Sequence, residues 1–501
     1  MSIGKQLLRN IFSSWASFGL RVVITFFFTP FITSELGGAR YGVWVILFAT
    51  LDYLSMADMG MKQALVRFIS KALGKKDFDE VNRTLNTANA IYLVLALLVF
   101  ALALLVINNL GTLVSIPDVQ LLEEAQGALF VIALHLVTFF VLMPFASTLG
   151  AFHRFDLSNA QMVVEEVVRV FVLVWLLLNG YGLVSLAWAI YLTSLARQFW
   201  SMLVLKRLHP EVRLQIKSVD RSMAKRLLGY SKISFLIVIM WLVIFRADAY
   251  LLGGLLTVSA AGIYAPASQL FHYIRNLINA VGTPLVPAIS HLEATESLSI
   301  LKEIYLKGIK YIAFIVTVFS VGCLFFARDF VRLWLSPDFA PAGDVMMILA
   351  VPAIVFLPQI IGNSILFGIE KHKHLLYVLI AEAALKIILS IALIDQFGLL
   401  GIAYGSAIPQ LLLYGLVYPH IMKRTIGVSV SLMYVRLFKS ILLAGLLSAP
   451  LCWLLQNSMP PITWTMFFVD VFIVLAVSAP GALWLLEADD RVRLREMFKR
   501  D

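Results

Sequence analysis

Apolar residues in this chain come in blocks rather than interleaved with polar ones, and the blocks recur at the length of a membrane span. A helix needs about 20 residues to cross roughly 30 Å of hydrocarbon. The cores 91–107, 233–245 and 312–326 meet that length with their flanks. Transmembrane β-barrels read instead as alternating segments of about ten residues, which do not occur here. Of the 501 residues, 60% are hydrophobic and 14% charged, where a soluble chain carries about a quarter charged. The expected fold class is therefore an all-α polytopic membrane protein. Its expected spans are 11–33, 41–63, 85–107, 123–150, 160–179, 184–205, 230–251, 260–286, 308–328, 343–368, 375–395, 399–422, 436–456 and 464–487.

Two cysteines, Cys323 and Cys452, each sit inside an apolar run, so no disulfide framework or thiolate metal cluster is available. The first apolar stretch, 11–33, is too long for the core of a cleavable signal and reads as the first span.

The net charge of +10 would suit a nucleic-acid partner, but the placement of the charges argues against one. With the N-terminus inside, 31 of the 40 Lys and Arg fall on cytoplasmic segments, three (Arg40, Arg328, Arg332) on outer loops and six within spans. That asymmetry is the positive-inside signature and places both termini in the cytoplasm. The basic excess is topological, and no nucleic acid is expected as partner.

The outer loops are short, and the inner connections are amphipathic. After the second span, Leu65, Phe68, Ile69, Ala72 and Leu73 share a face, with Arg67 and Lys71 off it and Gly74 ending the turn. Asp77 with Glu80 three residues on reads as the N-cap of the next helix. Residues 208–229, with Arg213, Lys217, Arg221, Lys225 and Arg226, read as an amphipathic interfacial linker.

The segments on either side of that linker look like a repeat. Gly182-Leu183 and Gly398-Leu399 open helices at an offset of 216, and Gly150 and Gly368 close the fourth and tenth spans at an offset of 218. Tyr41-Gly42 and Gly262-Ile263-Tyr264 open spans at an offset near 223. The expected organisation is an N-lobe over 1–207, the linker, a C-lobe over 230–424 in parallel orientation, and two further spans with a cytoplasmic tail over 425–501.

Such a bundle has no external domain in which to house chemistry. No phosphate-cradling loop, nucleophile elbow or metal-spaced histidine pair occurs, and no cofactor is expected. His291, His372 and His374 read as solvated residues of the inner surface. The mid-span prolines Pro30, Pro144, Pro266, Pro284, Pro352, Pro358 and Pro409 singly read as packing kinks, and together suit lobes that bend.

The charges inside spans carry the functional argument, because an ionisable group in hydrocarbon needs a cavity or a partner. At 1.5 Å per residue, Arg21 lies about 15 Å deep and Lys386 at similar depth, with Arg246 and Arg275 further out. Arg21 and Arg275 have no acidic residue at helical spacing, and Arg246 has Asp248 only two positions away, on another face. These three are therefore expected to line a water-filled cavity, with Lys386 as a fourth member. Glu165 or Glu166 neutralises Arg169, and Arg197 reaches the interface by snorkelling. Asp52 and Glu382 are candidates for coupling to an ion, although Glu382 also stands four residues from Lys386 and can simply balance it.

The opening Asn10, Ser14, Pro30, then Leu36-Gly37-Gly38-Ala39-Arg40-Tyr41-Gly42-Val43-Trp44 and Asp58-Met59-Gly60, resembles polysaccharide exporters of the Wzx type. They belong to the superfamily that also holds multidrug and toxin (MATE) extruders and lipid II flippases. The resemblance covers the whole chain and implies two six-helix lobes plus two helices. It also implies flipping of an undecaprenyl-diphosphate-linked oligosaccharide across a bacterial cytoplasmic (inner) membrane, as in O-antigen and lipopolysaccharide synthesis. Implied partners are that lipid-linked substrate, membrane lipids, and glycan polymerase and chain-length machinery. A cationic cavity suits a diphosphate, since Arg grips phosphate oxygens in pairs. Two alternatives remain: a cation-coupled small-molecule extruder on the same fold, and a membrane glycan polymerase or ligase, against which the short outer loops count.

Overall fold

A computed structural model of the chain describes residues 3–486, apart from 56–57, 59–60, 117, 153–154, 214–217, 230–231, 283–284, 286–288, 290–297 and 336. Side chains at several helical positions lie outside the description, among them 3–18 and 20–22 with Arg21, and Arg154, Lys217, Pro284, His291 and the expected tail beyond 486 lie outside the described residues altogether.

Regular structure among the described residues is helical. In order come α1 (Ile3–Ser55), α2 (Met61–Gly74), α3 (Phe78–Asn108), α4 (Leu110–Leu113), α5 (Val119–Ala151), α6 (Phe155–Leu178), α7 (Leu183–Leu208), α8 (Arg221–Gly229), α9 (Lys232–Leu255) and α10 (Val258–Gly282). There follow α11 (Leu298–Trp334), α12 (Pro341–Phe356), α13 (Ile360–Gly368), α14 (Lys373–Phe397), α15 (Leu399–Leu412), α16 (Tyr418–Ile426), α17 (Val430–Ser458) and α18 (Trp464–Leu485). The expected spans fall on these helices. Nine helical stretches among the described residues are long and apolar enough to cross a membrane.

Gly37 divides α1 into the first two expected spans. Its φ of 70° lies in the left-handed region, which a residue without Cβ adopts at little cost. The second arm ends at Ser55 rather than near 63, and α2 follows as a separate amphipathic helix. On α2, Leu65, Ile69 and Ala72 are buried, as their shared face predicts. The Asp77 carboxylate accepts the Glu80 N–H at 2.8 Å and caps α3. α3 shows what kind of solvent surrounds it: Ala88, Tyr92, Ala96, Val99 and Ala103 face protein, while Leu93, Leu97, Leu98 and Leu105 are exposed. Small residues inward and leucines outward are the pattern of a helix in lipid.

Packing divides the chain into two compact units, Met1–Gly262 and Ile263–Asp501. In the first, α5 packs on α7, α3 and α2, and α1 packs on α6 and α9. α9, placed by the repeat in the second lobe, thus belongs by contacts to the first unit. Two landmarks of the repeat also meet there. A Cβ on Gly42 would stand 1.7 Å from the Val258 carbonyl, and one on Gly262 would stand 3.0 Å from the Gly38 carbonyl and the Gly42 nitrogen. Glycine is required because the two backbones touch.

Among the described residues of the linker, Arg221–Gly229 is helical, and 211–213 form a strap tied to α3. Asn82 accepts the Arg213 N–H at 2.8 Å and donates to the Glu211 carbonyl at 3.0 Å, while Asn86 donates to the Arg213 carbonyl at 2.9 Å. Pro210 withholds a backbone donor. Asp220 then starts α8 by accepting the Met223 N–H at 2.7 Å. That bond and one from Ser222 hold the Asp220 carboxyl below its ordinary range.

In the second unit, α11 packs on α12 and α17, and α14 on α15. Phe314, Val318 and Phe326 of α11 share a core with Ala444 and Cys452 of α17 and Val474 of α18, so the two last spans are integral to this unit. Between α15 and α16 lies a π-helical turn, Leu413–Val417, in which the Tyr418 N–H reaches back five residues to the Leu413 carbonyl.

Candidate functional site

Two groups of intramembrane charge stand out, one in each unit. In the first, Arg246 of α9 meets Asp52 on the second arm of α1, Nε to Oδ2 at 2.6 Å. One turn away the Thr50 and Tyr250 hydroxyls are hydrogen-bonded, and the Tyr53 and Tyr250 rings stack edge-on at 5.8 Å. Thr50 and Tyr53, and likewise Arg246 and Tyr250, are three to four residues apart, so each helix presents one face to the other. The expectation that Arg246 lacks an acidic partner is corrected here. Periodicity sees only partners on the same helix, and Asp52 comes from another. Side-chain exposures of 39% for Arg246 and 29% for Asp52 leave the pair only partly enclosed by protein.

In the second unit, Glu382 and Lys386 of α14 are each 2% exposed. Glu382 accepts hydrogen bonds from Gln410 Nε2 at 3.2 Å and from the Tyr414 hydroxyl at 3.0 Å. The charges of Lys386 and of Arg275 on α10 also act on it. The balance between Glu382 and Lys386 expected from their spacing is therefore only part of the arrangement. Two hydrogen-bond donors and a second cation come from other elements. Gln410 and Tyr414 were missed by sequence reasoning, although Pro409 and Pro419 flank them and mark an irregular helix. A buried carboxylate is costly unless paired and hydrogen-bonded, and these neighbours meet that need.

The residues given separate roles thus converge: the cation Arg246 on the acid Asp52, and the cations Arg275 and Lys386 on the acid Glu382. Arg21 is not placed, because its side chain lies outside the described residues.

A third group behaves as a structural lock. Arg169 bonds both Glu165 and Glu166 on its own helix. Arg197 does not snorkel as expected but pairs with Glu165 across α6 and α7. Asp58, quoted above only as part of a motif, accepts the buried Tyr92 hydroxyl and the Lys62 N–H. In the second unit an open apolar groove of about 640 Å³ runs along α11 and α18, lined by Phe314, Phe319, Phe330, Phe467 and Leu475 among others. Among the described residues no His, Cys, Asp and Glu cluster is arranged to hold a metal.

Residues 7–293, more than half the chain, match the family model described as polysaccharide biosynthesis protein. The chain belongs to that family. The probable flippase AglR of Haloferax volcanii is 20% identical over 409 residues, covering 80% of this chain and 81% of its own. Among solved structures, the lipid II flippase MurJ in an inward closed conformation aligns with a TM-score of 0.71 at 15% identity, over 94% of this chain and 97% of that one. An inward-facing MATE-family multidrug resistance transporter of the MOP superfamily aligns with a TM-score of 0.64 at 15% identity, over 85% and 96%. The expected MATE-like helical fold is therefore the fold of this chain.

Proposed function

We propose that this protein flips an oligosaccharide linked through a diphosphate to a long lipid, of the undecaprenyl type, from the inner to the outer leaflet of a bacterial cytoplasmic membrane. The observation that carries this reading is the Arg246–Asp52 pair: a partly exposed guanidinium on an expected span, held by a carboxylate from another helix. A diphosphate offers the same planar grip with more charge, and displaces Asp52. Arg21, Arg275 and Lys386 supply further positive charge. The apolar groove along α11 and α18 suits a lipid chain better than a soluble drug. Export is also favoured electrically, since each negative charge leaving a negative interior gains about 2.3 kcal/mol per 100 mV.

In this reading the lobes 1–207 and 230–424, related by rotation about the membrane normal, alternate access, with both termini cytoplasmic. Asp52 and Glu382 are the acids proposed to couple the cycle to an ion. A cation-coupled extruder is the second reading, favoured by the buried acid Glu382. Alanine at Arg21, Arg246 and Arg275 separates the two: glycan export in cells should be abolished, with lysine rescuing partly because it loses the two-pronged grip. Normal export by all three well-expressed variants would overturn the flippase mechanism.

A further inference from the structure

The π-helical turn Leu413–Val417 has a cause in the sequence. Pro419 carries no N–H, and its ring crowds the carbonyl four residues back, that of Gly415. Pro419 thus removes one bond of a regular helix and disfavours it there, and the backbone widens so that Tyr418 bonds to Leu413 instead. The Gly415 carbonyl, which Pro419 leaves without its i+4 donor, finds a side-chain donor. The Tyr434 hydroxyl of α17 donates to the Gly415 carbonyl at 2.6 Å. The His420 Nδ1–H donates to the Leu416 carbonyl at 2.7 Å.

This turn also sets what reaches Glu382. Gln410 lies just before it and Tyr414 within it, and both bond to the one carboxylate, on different oxygens. Tyr414 is wedged between the rings of Phe356 and Tyr418, at 4.8 and 5.6 Å. Closing the widened turn into a regular helix would rotate Tyr414 relative to Gln410 and take its hydroxyl off Glu382.

We infer that Tyr434 is a positioning residue for Glu382. Through the Gly415 carbonyl it latches the widened turn open and so keeps the Tyr414 hydroxyl on the carboxylate. The penultimate helix, outside the two six-helix lobes, thereby governs the acid of the second-unit site. The inference rests on the reading of Glu382 as the coupling acid. The groups that act on Glu382 include Lys386 on its own helix, Arg275 from α10, and Gln410 and Tyr414 from the twelfth span. Tyr434 bonds to the Gly415 carbonyl and acts on Glu382 through the turn.

The test uses the full chain in lipid nanodiscs and dicyclohexylcarbodiimide, which labels carboxyls in their protonated form. Labelling of the Glu382 peptide is followed by mass spectrometry across pH. Tyr414→Phe should move the pH of half-labelling by about tenfold in proton concentration, the size of one hydrogen bond to a charged group. Tyr434→Phe should move it in the same direction and by a similar factor. Pro419→Ala should do so too, because it restores a backbone donor to Gly415 and lets the turn close. The double variant Tyr414→Phe/Tyr434→Phe should move it no further than Tyr414→Phe alone, and Tyr377→Phe on the exposed face of α14 should leave it unchanged. If Tyr414→Phe shifts the profile while Tyr434→Phe and Pro419→Ala do not, the latch is refuted and the Glu382 site stands. If Tyr414→Phe has no effect either, the reading of the site falls and the latch with it.

Discussion

Arg246 and Asp52 lie 2.6 Å apart on two different helices of one unit, joined at a point where both remain partly exposed. In the proposed mechanism the pair is exchangeable, and it stands where a span would otherwise hold a bare cation. A double-mutant cycle with Asp52→Asn and Arg246→Gln, read by thermal unfolding, should give a coupling energy of about 1 kcal/mol or less. Each single variant should lose far more in export than in stability. A coupling of several kcal/mol would make the pair structural.

The Glu165 group should behave in the opposite way. Glu165 holds both Arg169 and Arg197, and all three side chains are largely buried. Glu165→Ala should destabilise the protein by about 3–5 kcal/mol, since it strands positive charge in a low-dielectric interior. Glu303→Ala, which removes the exposed partner of Lys307 on α11, should change stability by less than about 0.5 kcal/mol. Yield of folded protein and unfolding temperature measure both.

The start of α8 should depend on pH. The Asp220 carboxyl is held below its ordinary range by the Met223 and Ser222 N–H groups, so the capped form is fully favoured above the ordinary aspartate value of about 3.9. Its contribution is lost as pH falls from there through the lowered value. Hydrogen exchange of the α8 amides should accelerate over that range beyond the chemical trend, and Asp220→Asn should flatten the dependence. Equal pH profiles in the two proteins would refute the cap.

Topology offers an independent check. Reporters fused after Asn109 and after Lys217 should read outside and inside respectively, as the distribution of Lys and Arg requires. Reversal at either site would invert the direction of flipping proposed above.

Much of the architecture was legible in the residues because it is set locally. The break at Gly37, the Asp77 cap and the buried face of α2 each depend on a few consecutive residues and on helical periodicity. The apolar blocks are equally local, because hydrocarbon obliges each span to satisfy its own backbone. The charges were only half legible. Spacing along one helix correctly joined Arg169 to Glu165 and Glu166, yet it sent Arg197 to the interface and left Arg246 alone. Periodicity says which residues share a face, and says nothing of what that face meets. Tertiary packing decided that Asp52 answers Arg246, that Gln410 and Tyr414 grip Glu382, and that linker residues 211–213 lie as a strap on α3. Each is a contact between segments distant in the chain, and its free energy depends on how the helices come together rather than on any single stretch of sequence.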